Sequence, residues 1–173
     1  GCGIKPEHLG AFLAVLTEMG LAVDAGPDFV SVKSSGDLKP VTVATGPYPE
    51  LATDLQAPLM AALALARGKS RVEENIFEGR FGHVSELSRM GARIELNERV
   101  ATVHGVDKLT GAPVEGFDIR AAAALVVAGL AAEGVTQLYE PHHIRRGYEF
   151  LEAKLAKLGA HIYCRVADAE DFS

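Results

Sequence analysis

The sequence predicts an α/β fold built by internal repetition, and three observations carry that expectation. A glycine-closed phrase recurs as LTEMGLAV at 16–23, LSRMGARI at 87–94 and LAKLGAHI at 155–162. Two long apolar helical segments alternate with it. Short β-like stretches follow both kinds of helix.

The first kind of helix shows apolar residues at helical spacing, such as Leu9, Leu13 and Leu16, or Leu151, Leu155 and Leu158. Each ends on a glycine where a left-handed cap is wanted: Gly20, Gly91 and Gly159, which stand 71 and 68 residues apart. The strand-like stretches AVDA, RIEL and HIYC follow them. The second kind pairs ATDLQAPLMAALALARGKS at 52–70 with GFDIRAAAALVVAGLAAEGVT at 116–136. Both are apolar nearly all round, which places helices near 53–67 and 117–133 in an interior. RVEENIF and QLYE read as the strands after them. About two and a half cycles fit, in pieces of roughly 1–40, 41–112 and 113–165, with a tail at 166–173. Two architectures satisfy this pattern: helices inside with sheets outside, or a duplicated α/β sandwich.

Composition narrows the function classes. The 173 residues suit one domain, and 48% hydrophobic content suits a packed core. A net charge of −6 with scattered basic residues argues against nucleic-acid binding and leaves room for a local anion site. Cys2 and Cys164 form no metal-spaced cluster and read as reduced thiols of a cytoplasmic protein. The longest apolar run, 121–132, is too short to span a bilayer, and Glu18 and Gly20 break any signal-peptide reading. The chain opens at Gly1 without a methionine, as expected of a processed, tagged or excised piece. GxGxxG, a P-loop and HExxH are absent, and none of the six histidines is assigned chemistry; His142 and His143 would point apart on a strand.

The arginines break a local rule. Arginine in the first turn of a helix opposes the dipole, yet Arg80, Arg120 and the pair Arg145 and Arg146 are placed at predicted helix starts. One such arginine is best explained by a local partner, Asp118 for Arg120 or Glu149 for Arg145 and Arg146. The set is better explained by a convergent phosphate or carboxylate site. Asp54 follows Thr53, a plausible N-cap, and read alone is a first-turn acid suited to the dipole. Pro58 cannot donate to the Asp54 carbonyl, which leaves that carbonyl open or the helix kinked. Phe77, read alone, is a core phenylalanine.

TDLQA at 53–57, ENIFEGRFGHVSELSRMGA at 74–92, HGVDKLTGA at 104–112, FDIRAAAALVVAGLAAEG at 117–134 and HHIRRGYEFLEAKLAKLGA at 142–160 cover nearly the whole chain. In this order they resemble the enolpyruvyl transferase family, in its UDP-N-acetylglucosamine branch. The resemblance implies an inside-out α/β barrel of βαβαββ units around buried parallel helices, with this chain as most of one of two domains. It implies transfer of the enolpyruvyl group of phosphoenolpyruvate to the 3-hydroxyl of UDP-N-acetylglucosamine, with release of phosphate, no metal and no organic cofactor. That is the first committed step of peptidoglycan precursor synthesis.

Residue by residue, Asp54 matches the family's contact to the sugar hydroxyl and its general base. Arg146 matches the arginine that faces phosphoenolpyruvate and closes the cleft. Asp118, Ile119 and Arg120 match an Asp-x-Arg segment lining the interdomain site, and Arg80 matches a cleft arginine. Ile76 matches a backbone contact to the UDP-sugar, with Phe77 beside it. The family's catalytic cysteine loop and its amino-terminal lysine and asparagine have no counterpart; Cys2 is not that cysteine. The chain alone is therefore expected to be inactive, with an open surface prone to self-association. The alternatives are a non-catalytic domain binding an anionic ligand or a partner, and a domain of a related transferase with another nucleotide substrate.

Overall fold

Three helices end on one hydrogen-bond pattern, and there the sequence repeat becomes structure. The computed structural model describes residues 3–34 and 36–164. In it α1 (Gly10–Glu18), α3 (His83–Arg89) and α6 (Leu151–Lys157) run into Gly20, Gly91 and Gly159, at φ of 91°, 91° and 96°. Gly20 N–H donates to the Thr17 carbonyl and Leu21 N–H to Leu16; Gly91 and Ala92 do the same to Ser88 and Leu87, and Gly159 and Ala160 to Ala156 and Leu155. Each is a Schellman cap, and positive φ is why glycine recurs there.

One complete βαβαββ unit occupies the middle of the chain. It runs β3 (Thr42–Ala44), a 3-10 turn at Thr53–Leu55, α2 (Gln56–Leu63), β4 (Lys69–Glu73), α3, β5 (Arg93–Asn97) and β6 (Val100–His104). Its sheet has the order β3-β4-β6-β5, with β3 parallel to β4 and the other pairs antiparallel. An αββ segment precedes it: α1, β1 (Ala22–Ala25) and β2 (Val30–Lys33). After it come β7 (Pro113–Glu115), α4 (Ile119–Ala131), β8 (Gln137–Tyr139), α5 (His142–Gly147) and α6, with β7 and β8 parallel.

Helices lie inside and the large sheet outside. Alternation along β4 and β6 buries Ser70, Val72, Ala101 and Val103 and turns Lys69 and Arg71 to solvent. On α2, Gln56, Ala57, Leu59, Met60, Ala61 and Leu63 are all buried. It packs against α4, whose buried 121–124 alanine run permits close approach. One flank of α4 stays open: Val127 and Leu130 are 37% and 49% exposed, and Leu130 lines a groove of about 770 Å³ with Tyr139, Leu151 and Tyr163.

The structure departs from the sequence expectations at several points. HIYC at 161–164 forms no strand, because no described strand offers it a ladder such as β2 gives β1 or β6 gives β5. The helix expected over 53–67 is regular only to Leu63; beyond it the Ala64 carbonyl accepts from Val106 N–H and the Arg67 N–H donates to Leu38. Pro58 falls in the first turn of α2, whose N–H groups have no partner within the helix, and α2 continues through it to Leu63. His142 and His143 lie in α5 with ring centroids 4.0 Å apart, not on a strand. Cys2 and the tail at 166–173 lie outside the described residues.

Candidate functional site

The starts of α2 and α4 carry equivalent aspartates that the fold uses differently. Asp118 is the N-cap of α4: its Oδ1 accepts from the Arg120 and Ala121 N–H groups, both at 2.8 Å. Its Oδ2 accepts from Arg120 Nη2 at 2.8 Å. The local pairing of Asp118 with Arg120 is thus real. Asp54 caps nothing, and its side chain is 77% exposed. The expected cap at Thr53 is absent too, since Ala52 holds the cap position and Thr53 Oγ1 donates to Glu74 Oε2 at 2.9 Å.

Two arginines converge on the unspent carboxylate. Arg80 Nη1 lies 3.5 Å and Arg120 Nη1 3.8 Å from Asp54 Oδ1. At these lengths the contacts are electrostatic, and Arg80 Nη1 has no hydrogen-bond partner despite its burial. Phe77 is not a core residue: it is 48% exposed, and the Arg80 guanidinium stacks 4.1 Å above its ring. Asp54, Phe77, Arg80, Asp118 and Arg120 therefore form one cluster at the sheet-side entrance to α2 and α4. A buried guanidinium N–H without a partner suits an anionic ligand.

Helix dipoles do not assemble this cluster as the sequence suggested. Only Arg120 lies in a first turn, of α4. Arg80 precedes α3 by a short turn, and Arg145 and Arg146 occupy the last turn of α5, where positive charge is favoured. Tertiary packing sets α5 against the start of α4 instead. Gly147 leaves no room for a Cβ, because the Ile119 side chain presses into that space, so the end of α5 lies against the first residue of α4. Arg146, just before it, is exposed and makes no ion pair among the described residues; Glu149 pairs with Lys154 at 3.7 Å. Arg145 Nη2 donates to Cys164 Sγ at 2.8 Å.

Two buried polar groups complete the site, and neither was singled out from the sequence. Glu74, 1% exposed, accepts from Thr53 Oγ1, Ile76 N–H and Phe77 N–H at 2.9, 3.0 and 3.2 Å. Period-two alternation from Ser70 through Val72, carried one residue past the end of β4, turns Glu74 inward, a signal that could have found it. His83, 2% exposed, opens α3. Burial lowers its pKa from 6.5 to about 4, partly opposed by the Asp118 charge and a hydrogen bond with the Arg80 backbone. Its sequence neighbour Gly82 abuts the Phe117 ring. Among the described residues no group of three or more His, Cys, Asp or Glu could hold a metal ion.

The chain is similar to known proteins in sequence and in fold. Residues 1–155 match the family model described as EPSP synthase (3-phosphoshikimate 1-carboxyvinyltransferase). A UDP-N-acetylglucosamine 1-carboxyvinyltransferase of Novosphingobium aromaticivorans is 53% identical over 160 residues, which are 92% of this chain and 38% of that protein. A UDP-N-acetylglucosamine 1-carboxyvinyltransferase 1 of Carboxydothermus hydrogenoformans is 50% identical over the same shares. The crystal structure of the enolpyruvyl transferase NikO from Streptomyces tendae matches with a TM-score of 0.85 and 34% identity, over 92% of this chain and 37% of that one. EPSP synthase from Acinetobacter baumannii shares the fold, with a TM-score of 0.60 at 17% identity. The chain spans a little over a third of the length of the curated relatives it matches.

Proposed function

The chain belongs to the EPSP synthase family, and on that premise we propose that it forms one wall of a site transferring the enolpyruvyl group of phosphoenolpyruvate to the 3-hydroxyl of UDP-N-acetylglucosamine. The observation that carries this reading is the Asp54 carboxylate, unspent by the fold and held between Arg80 and Arg120. An uncommitted carboxylate can align a sugar hydroxyl and accept its proton as the oxygen attacks C2 of the enolpyruvyl group. C3 takes up a proton in that addition, and loss of a C3 proton restores the C2=C3 double bond as the C2–O bond to phosphate breaks and phosphate leaves. Arg80, Arg120 and Arg146 would neutralise the phosphate and carboxylate charges of the two substrates. Asp118 and Ile119 fix Arg120 and the end of α5 in place.

The acceptor is assigned on similarity and on the loop at Ile76. Identity to relatives named UDP-N-acetylglucosamine 1-carboxyvinyltransferase is 53% and 50% in two of them. The Ile76 and Phe77 N–H groups are already given to Glu74, so a ligand at this loop meets backbone carbonyls and must bring donors. A sugar bearing hydroxyls and an acetamido N–H does so. The reading places the protein in cytoplasmic peptidoglycan precursor synthesis, and no described helix is long and apolar enough to cross a membrane.

It also proposes that this chain is most of one of two domains. The open flank of α4 and the adjoining groove then receive chain from the rest of the protein, and self-associate without it. The test is phosphate release from phosphoenolpyruvate and UDP-N-acetylglucosamine. The complete protein carrying this domain should turn over, and the 173-residue chain alone should not, since it has no opposing wall to exclude water and align the two substrates. Repeated turnover by the chain alone would overturn the two-wall reading.

A further inference from the structure

We propose that Glu74 is a positioning residue that sets the distance between Asp54 and the Phe77–Arg80 pair; this rests on the transferase reading for its catalytic consequence, though not for its geometry. A buried carboxylate is costly unless it accepts hydrogen bonds, and Glu74 accepts three. One goes to the 3-10 turn before α2, through Thr53, the immediate neighbour of Asp54. Two go to the loop after β4, at Ile76 and Phe77, on whose ring the Arg80 guanidinium rests. The two walls of the cluster are thus joined twice. The outer joint is the pair of Asp54 and Arg80 at 3.5 Å, with the carboxylate 77% exposed, and such pairs hold geometry weakly. The inner joint is Glu74, buried and anchored on both sides: its N–H donates to the Arg99 carbonyl, and the next residue, Asn75, donates to Thr45 Oγ1 at 3.0 Å. The exposed pair can then open to admit a ligand while the two walls keep their spacing.

The experiment has two arms. In the complete protein, Glu74→Ala should lower kcat by about 10²-fold, the cost of a misplacement near 1 Å, with a smaller change in the KM for UDP-N-acetylglucosamine. Glu74→Gln should restore most of kcat, because its carbonyl oxygen still accepts from Ile76 and Phe77 and the Thr53 hydroxyl can turn to accept from its NH₂. On an Asp54→Ala background, Glu74→Ala should cost little more kcat, since it acts through Asp54. Fully additive losses, or an unchanged kcat in Glu74→Ala, would overturn the proposal. If Glu74→Ala does not fold, Thr53→Val removes one of the three bonds and should lower kcat in the same direction. The second arm needs no activity. In the 173-residue chain, Ile76 and Phe77 amide exchange should accelerate in Glu74→Ala and stay slow in Glu74→Gln. Unchanged protection in Glu74→Ala would sink the positioning role. An inactive complete wild-type protein with the exchange pattern intact would sink only the transferase reading.

Discussion

Asp54 and Asp118 occupy matching places in a duplicated sequence, 64 residues apart, and the fold has divided two tasks between them. Asp118 spends its carboxylate on structure, closing the amino end of α4 and holding Arg120. Asp54 spends nothing on its own helix, because the chain enters α2 through a 3-10 turn and the nearby hydroxyl of Thr53 is turned inward to Glu74. A repeat supplies two copies of a helix start. The copy released from capping keeps an uncommitted carboxylate, while the other already accepts from three donors.

The sharpest way to break this division is to remove each carboxylate in turn. In the complete protein, Asp54→Ala should lower turnover by about 10²–10⁴-fold. Its melting temperature should barely move, because an exposed side chain without a cap role is worth within about 0.5 kcal/mol. Steady-state kinetics beside a thermal melt checks this, and a normal turnover number would remove Asp54 from catalysis.

The packed side of the comparison should show itself in acid. His83 is neutral in the folded chain, with its pKa lowered to about 4 by burial, while the unfolded chain binds a proton below 6.5. Between those values the unfolded state holds more protons, so the stabilisation is complete above about pH 6.5 and is lost as pH falls toward 4. The span corresponds to on the order of 3 kcal/mol. Urea unfolding at pH 7.5 and 4.5 should show the loss in the wild-type chain and a shallower one in His83→Gln. Equal acid sensitivity would mean that other groups set the limb.

The smallest effect belongs to the cap. Asp118→Ala should lower stability by about 1–2 kcal/mol, measured by denaturant midpoint, since two helix N–H groups lose their acceptor. It should also free Arg120, so any change in turnover should be far below that of Asp54→Ala. A reversed order of the two kinetic effects would exchange the roles assigned to the two aspartates.

Much of this was legible before any coordinates. The glycines at 20, 91 and 159 announced their caps because positive φ is a local demand that few residues meet. The apolar character of 53–67 and 117–133 announced burial, and it is met along α2 and on the face of α4 that packs against it, while Ile119, Val127 and Leu130 on α4 remain exposed. AVDA, RIEL and the strand within RVEENIF lie where strands were expected, since each finds its partner within the described chain. HIYC, with the same character, forms none, because a strand is a property of two segments and one sequence states only half of it.

The candidate site divides along the same line. Sequence by itself determined which residues carry charge near the helix starts, and through resemblance which of them to watch: Asp54, Ile76, Phe77, Arg80, Asp118, Ile119, Arg120 and Arg146. Tertiary structure alone decided that Asp118 caps while Asp54 does not, and that the end of α5, at the glycine after Arg146, packs against Ile119 at the start of α4. It also decided that Phe77 is a platform for Arg80 and that Glu74 joins the loop after β4 to Thr53, 21 residues before it. Capping and burial are read from spacing because their partners lie within one helical turn. The direction of a carboxylate or guanidinium is set by partners distant along the chain, and only folding brings those partners together.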